Sequence, residues 1–140
     1  MTALVPEFAV SDIAESLKFY VDVLGFSIKY QRPEEGFAYL YIGAAELMLD
    51  QLNLGRDFNI DEKPPAYPFG RGLNVQIKVD DLTPMLDAIN AEGLELYLPV
   101  EEKYYRMDNV DVGQKQFVIA DPDGYLLRFC ESLGNRPVSK

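Results

Sequence analysis

The chain has 140 residues, 48% of them apolar, which suffices for one core or for two small halves sharing one, but not for two independent domains. A formal charge of −10 with no histidine disfavours nucleic acid and anionic membranes, whose phosphates would be repelled. Solubility alone also accounts for such a surface. No run reaches the roughly 18 apolar residues of a membrane span, and the N-terminus lacks the basic-then-apolar order of a secretion signal, so a cytoplasmic protein is expected. The one cysteine, Cys130, has no internal disulfide partner and reads as structural.

In chain order, residues 4–10 form an apolar segment of strand type. Ile13, Leu17, Tyr20 and Leu24, with Phe19 beside Tyr20, then recur at helical spacing. Asp12 suits the N-cap of that helix, because its carboxylate can accept the first unpaired backbone N–H groups, and Gly25 suits the C-terminal stop. Strand-like runs follow at 26–31, 37–42 and 46–50. Residues 52–71, with Pro64, Pro65, Pro68 and Gly70, read as a surface linker. The order then repeats. A strand over 73–79 precedes a helix on Leu82, Met85, Leu86 and Ile89, with Asp81 as N-cap and Gly93 as stop. Strands are expected at 94–98, 110–120 and 125–131, and Asp121-Pro122-Asp123-Gly124 is a strong turn signal. The pattern is βαβββ twice: an α+β fold in a single domain over 1–140, with module one at 3–51, the linker at 52–71, module two at 72–132 and a tail at 133–140.

Val10-Ser11-Asp12 with Ser16, Phe19-Tyr20 and Leu24-Gly25-Phe26, and later Phe117-Val118-Ile119-Ala120 running into Asp121-Pro122-Asp123-Gly124, resemble the vicinal oxygen chelate superfamily. That superfamily contains glyoxalase I, extradiol dioxygenases, fosfomycin-modifying enzymes and bleomycin-resistance proteins. The resemblance implies two βαβββ modules forming a curved mixed sheet with a concave ligand cleft. Strand alternation then assigns faces. Leu47, Leu49, Val75, Ile77, Leu127 and Phe129 fall on the helix side, and Glu7, Glu46, Met48, Asp50, Asn74, Gln76, Lys78 and Arg128 on the cleft side. Phe37, Tyr39 and Tyr41 share one face, so all three are cleft or all three are core.

In metal-dependent members the ligands are histidines and glutamates. The positions that match them here are Val5, Met48, Asn74 and Arg128, a poor donor set for a divalent ion, so neither metal nor other cofactor is expected. The resemblance therefore runs to the binding branch. Val5-Pro6 is similar to the Val-Pro that helps send the N-terminal arm of bleomycin-resistance proteins across to a partner subunit, although an edge-strand proline explains it equally well. The implied protein is an arm-exchanged homodimer that sequesters a bleomycin-like or other amphipathic cationic ligand in a cleft shared by two subunits. Aromatic faces would stack on its planar rings and carboxylates would meet its charge. Candidate ligand-binding residues are Tyr30, Phe37, Tyr39, Glu46, Met48, Asp50, Asn74, Gln76, Tyr105 and Arg128. Two other readings stay open. One is a metal-independent lyase or isomerase using Glu7 or Glu46 as base and Arg128 to hold an anionic substrate. The other is an interaction protein whose narrow cleft is filled by Met48 and the tyrosines.

Overall fold

The computed structural model describes residues 2–55 and 65–138, which divide into two compact units. The first spans 2–72 together with 121–125; the second spans 73–120 and 126–138. No helix among the described residues is long and apolar enough to cross a membrane.

The first unit contains β1 (Glu7–Val10), α1 (Ile13–Leu17), β2 (Ser27–Arg32), β3 (Phe37–Ile42) and β4 (Ala45–Gln51), in a four-stranded mixed sheet of order β1-β4-β3-β2. Strand β1 lies at the edge, parallel to β4, and starts later than the expected residue 4. Pro6 has no N–H to give, but its carbonyl accepts from Met48 N at 2.9 Å, so the ladder opens on an acceptor alone. Asp12 caps α1 as expected: its Oδ1 accepts from Ala14 N at 3.0 Å and Glu15 N at 3.3 Å.

The single α-helix expected up to Gly25 is instead five α-helical residues followed by a wider π-helical stretch, Lys18–Val23. The wide turn lets the adjacent Phe19 and Tyr20 both be buried and brings Phe26 N to Tyr20 O at 2.9 Å. The buried face therefore carries Ser16 as well as the aromatics, while Ile13 and Leu17 are only half-buried.

The turn 121–125 supplies the end of this unit's core. Tyr20 Oη donates to Asp121 Oδ2 at 2.7 Å, and Asp121 Oδ1 accepts from Asp123 N and Tyr125 N, both at 2.9 Å. Asp123 in turn accepts from Ser11 N at 3.0 Å and Ser11 Oγ at 2.6 Å. Tyr125 stacks on Phe8 with ring centroids 4.1 Å apart and donates its hydroxyl to Ala9 O. Phe69, within the stretch expected to be surface linker, is buried edge-on to Tyr125, and Leu52 is buried too; residues 56–64 of that stretch lie outside the described residues.

The second unit contains β5 (Asn74–Lys78), α2 (Thr83–Ala91), β6 (Leu98–Met107), β7 (Val110–Ala120) and β8 (Leu126–Pro137), in a mixed sheet of order β5-β8-β7-β6. Each unit is thus a βαβββ module. Asp81, expected as the N-cap, lies one residue ahead of it: Leu82 holds the cap position of α2, and Asp81 Oδ1 accepts from Thr83 N at 2.9 Å, which holds its carboxyl below the ordinary range. The strand expected at 94–98 lies at 98–107 instead. Leu94 N still closes the preceding helix onto Ile89 O, and the ladder with β7 begins only at Leu98 opposite Val118. Strand β8 likewise runs past residue 131 to Pro137, because the polar residues after 132 pair with the start of β7. Cys130 is buried, and burial raises its thiol pKa.

Burial pushes the Asp121 carboxyl up to about 6, against the lowering effect of its hydrogen bonds from Tyr20 and two backbone N–H groups. A raised carboxyl stabilises the fold while protonated: its contribution is complete below about pH 4 and is lost as pH rises through about 6. The rise from an ordinary aspartate to about 6 corresponds to about 3 kcal/mol. Urea unfolding of wild type against Asp121→Asn should therefore show a stability difference that moves against wild type between pH 4 and 7; a constant difference would refute it. Tyr20→Phe removes one of the carboxylate's donors and should cost about 1–3 kcal/mol at pH 7, read from the same unfolding curves.

Candidate functional site

The register of the first sheet sets two rows of side chains across one face. Glu7, Met48, Tyr39 and Tyr30 are successive partners from β1 through β4 and β3 to β2, and Ala9, Asp50, Phe37 and Arg32 form the next row. The opposite face carries Phe8, Val10, Leu47, Leu49, Ala38 and Leu40, all buried. Simple alternation would put Tyr30 with Ile28, which faces Leu40. A bulge between Ile28 and Tyr30 makes Lys29 the extra residue and turns Tyr30 to the Tyr39 side.

An open cavity of about 550 Å³ lies over this face, lined by Glu7, Tyr30, Arg32, Glu35, Phe37, Met48, Asp50, Leu54 and Gly55. Its floor is aromatic. Tyr30 stacks on Tyr39 with centroids 5.1 Å apart and leans over Phe37 at 5.9 Å. Phe37 and Tyr39 therefore belong to the cavity face although both are buried, since the β2 side chains lie over them. The Arg32 guanidinium is 4.1 Å from the Phe37 ring centre and pairs with Glu35, on the short 3-10 turn Pro33–Glu35. Among the described residues the lining also holds the carboxylates of Glu7, Glu35 and Asp50. Glycine is required at 55, because a Cβ there would strike Asp50 Oδ1 and come within 2.7 Å of Glu35 O.

Further along the face, Glu46 is ion-paired to Lys29 at 3.2 Å. Its carboxyl is held down at about 2 by the neighbouring Tyr39 hydroxyl, the Thr2 backbone N–H and Lys29. Burial and Glu46 push the Tyr39 phenol up to about 12.

Of the sequence candidates, Tyr30, Phe37, Met48 and Asp50 line this cavity, and Tyr39 and Glu46 share its sheet face. Asn74, Gln76, Tyr105 and Arg128 belong to the second unit, where Gln76 faces Arg128, Asn74 faces Leu126, and Tyr105 Oη accepts from Gln116 Nε2 at 2.8 Å. Val5 and Pro6 are half-buried just ahead of β1. Arg32, Glu35, Leu54 and Gly55 were not anticipated as site residues. The pairing of Arg32 with Glu35 has a short-range signal in the spacing i, i+3 around Pro33, but its place over Phe37 depends on the bulge.

Of the positions that the resemblance matches to metal ligands, Val5, Met48, Asn74 and Arg128, none carries a good donor for a divalent ion. Met48 offers a thioether between Glu7 and Tyr39, Arg128 a fixed positive charge, and Val5 no side-chain donor. Among the described residues no three His, Cys, Asp or Glu side chains gather where they could coordinate an ion.

Comparison with known proteins places the chain. The model of the Glyoxalase/Bleomycin resistance protein/Dioxygenase superfamily matches residues 4–129. A superfamily member from Vibrio splendidus 12B01 is 38% identical over 91% of this chain and 95% of that one, with a TM-score of 0.39. TioX from Micromonospora sp. ML1 is 21% identical over 95% and 100% of the two chains, with a TM-score of 0.70. Lactoylglutathione lyase from Agrobacterium tumefaciens is 22% identical over 94% of each chain, with a TM-score of 0.57. The last two are likenesses of fold. No curated protein matches the chain. The chain belongs to the glyoxalase/bleomycin resistance protein/dioxygenase superfamily.

Proposed function

We propose that this protein is a metal-independent binding protein of the bleomycin-resistance type, whose first unit captures an amphipathic ligand bearing planar rings and positive charge. The observation that carries this reading is Arg32. A planar cation already lies 4.1 Å over Phe37 and within 5.9 Å of Tyr30, paired with a carboxylate, so the surface recognises that chemistry in the chain's own side chain. Among the described lining residues Glu7, Glu35 and Asp50 supply carboxylates, which suit a cationic guest. The volume of about 550 Å³ is in the range of ligand pockets and speaks against a cleft filled by Met48 and the tyrosines.

The catalytic alternative finds less support. Of its two candidate bases, Glu7 and Glu46, the second is held at about 2, whereas a general base works best with a pKa near the working pH. The carboxyl that is raised, Asp121, spends its oxygens on Tyr20 and the backbone of its own turn, away from the cavity lining.

Calorimetric titration with metal-free bleomycin should give a saturable isotherm. Tyr30→Ala or Phe37→Ala should weaken it roughly tenfold, the loss of about one stacking contact, and Arg32→Ala should strengthen it by removing an internal competitor. Absence of heat, or variants that bind like wild type, would overturn the assignment. The reading extends to a homodimer in which Val5-Pro6 leads the N-terminal arm onto a partner; Leu4, beside it, is 82% exposed. Sedimentation equilibrium should then show a dimer that deletion of residues 1–6 weakens, and a monomer at all concentrations would contradict it.

A further inference from the structure

Strand β6 is the outer strand of the second sheet, and among the described residues no strand pairs with its free edge. A long uncovered edge invites a further strand, and folded proteins usually blunt one with proline, a bulge or brevity. Here Pro99 and the bulge between Leu98 and Glu101 protect only the start. From Glu101 to Met107 the register with β7 is unbroken, and none of these residues is buried. The other edge strands differ: β1 has four residues and β5 five, and β2 carries the bulge at Lys29.

The charges of this regular stretch are arranged to suit a copy of itself. Glu102, Tyr104 and Arg106 share one face, opposite Lys115, Gly113 and Asp111 of β7. Asp111 is ion-paired to Arg136 at 3.8 Å, and among the described residues neither Glu102 nor Arg106 forms an ion pair. Two antiparallel copies related by a twofold axis set residues of the same face opposite each other, so one residue must meet its own counterpart. Centred on Glu101, Glu102, Lys103 or Arg106, the pairing sets like charges together; centred on Tyr105 it joins no opposite charges, and centred on Met107 it leaves most of the stretch without a partner. Centred on Tyr104, it sets Glu102 against the second copy's Arg106 twice over, Lys103 against Tyr105 and Glu101 against Met107, and the whole regular stretch is paired. Tyr104 leaves room at the axis. Its ring lies inward over Gly113, where a Cβ would strike it, with the Arg136 guanidinium 3.6 Å from its centre.

We propose that the free edge of β6 is an interface with a second copy of this chain, antiparallel and centred on Tyr104, which joins the two sheets edge to edge. It is separate from the N-terminal arm and from the first unit's cavity, and it does not rest on the function proposed above.

Sedimentation equilibrium of the full chain tests it through charge swaps. Glu102→Arg and Arg106→Glu each set like charges together across the edge, and each should weaken the association about tenfold or more. Mixed in equal amounts, the two variants should regain the wild-type mass, because each new charge then faces an opposite one. A chain carrying both substitutions should assemble as wild type does. Wild-type mass in either single variant overturns the proposal, as does a mixture no heavier than its components. A monomeric wild type, which would leave the edge to a strand of another protein, overturns it too. Should a single variant fail to fold, Tyr104→Cys decides: at the axis the two Cα atoms lie about 4.5–5.5 Å apart, within disulfide reach, so oxidation should join two chains, while Glu102→Cys should stay unlinked. No linkage through Tyr104→Cys, or equal linkage at both positions, refutes the pairing. A dimer held by the N-terminal arm would persist in both charge variants, so either interface can fail alone.

Discussion

Two-residue alternation along β3 and β4 is the constraint from which the first unit's site follows. Ala38, Leu40, Leu47 and Leu49 must point one way to be buried, and this forces Phe37, Tyr39, Met48 and Asp50 the other way, onto a face that the unit's own apolar core cannot claim. The bulge at Lys29 completes the arrangement. Without the extra residue Tyr30 would follow Ile28 to the Leu40 side, and the aromatic floor would lose its exposed member. With it, Tyr30 lies over Tyr39, and Arg32, two residues on, reaches Phe37. One inserted residue thus sets both the stacking surface and the cation that occupies it.

Much of this was legible in the sequence, for identifiable reasons. The two βαβββ runs, the Asp12 cap and the face assignments on β4, β5 and β8 follow from period-two burial and local capping chemistry, which act over a few residues. What was not legible depends on partners distant in the chain. Leu94, Leu96 and Leu98 alternate like a strand, yet only Leu98 finds β7, since Leu94 is still closing the helix. The residues after 132 look like a polar tail, and they are strand because β7 has a long free start to pair with. Asp121-Pro122-Asp123-Gly124 announced a turn; that its two carboxylates would receive Tyr20 and Ser11 had no local signal. Tyr30 was placed in the cleft by family resemblance, and strand parity alone would have put it on the wrong face.

The net charge of −10 also conceals a difference between the two units. Among the described residues the first unit's cavity is lined by three carboxylates and one guanidinium, while on the second unit's sheet Gln76 faces Arg128. Overall charge governs encounter at distances near the Debye length, about 8 Å at physiological salt. At contact the local donors and acceptors decide.

The carboxyls of the molecule show why a perturbed acid is not by itself a catalyst. Asp121 is raised to about 6, the range expected of a general acid, yet both its oxygens are committed to a tyrosine and two backbone N–H groups that tie the turn into the first unit. Burial raises it; the hydrogen bonds give it a structural reason to be there. Glu46 lies on the cavity face and moves the opposite way, to about 2, because a hydroxyl, a backbone N–H and Lys29 all favour its anion. Of these two carboxyls, the raised one lies away from the cavity lining, and the one on the cavity face is held as its anion. What the cavity face brings together is carboxyl groups beside aromatic rings, the combination on which the proposed capture of a cation rests.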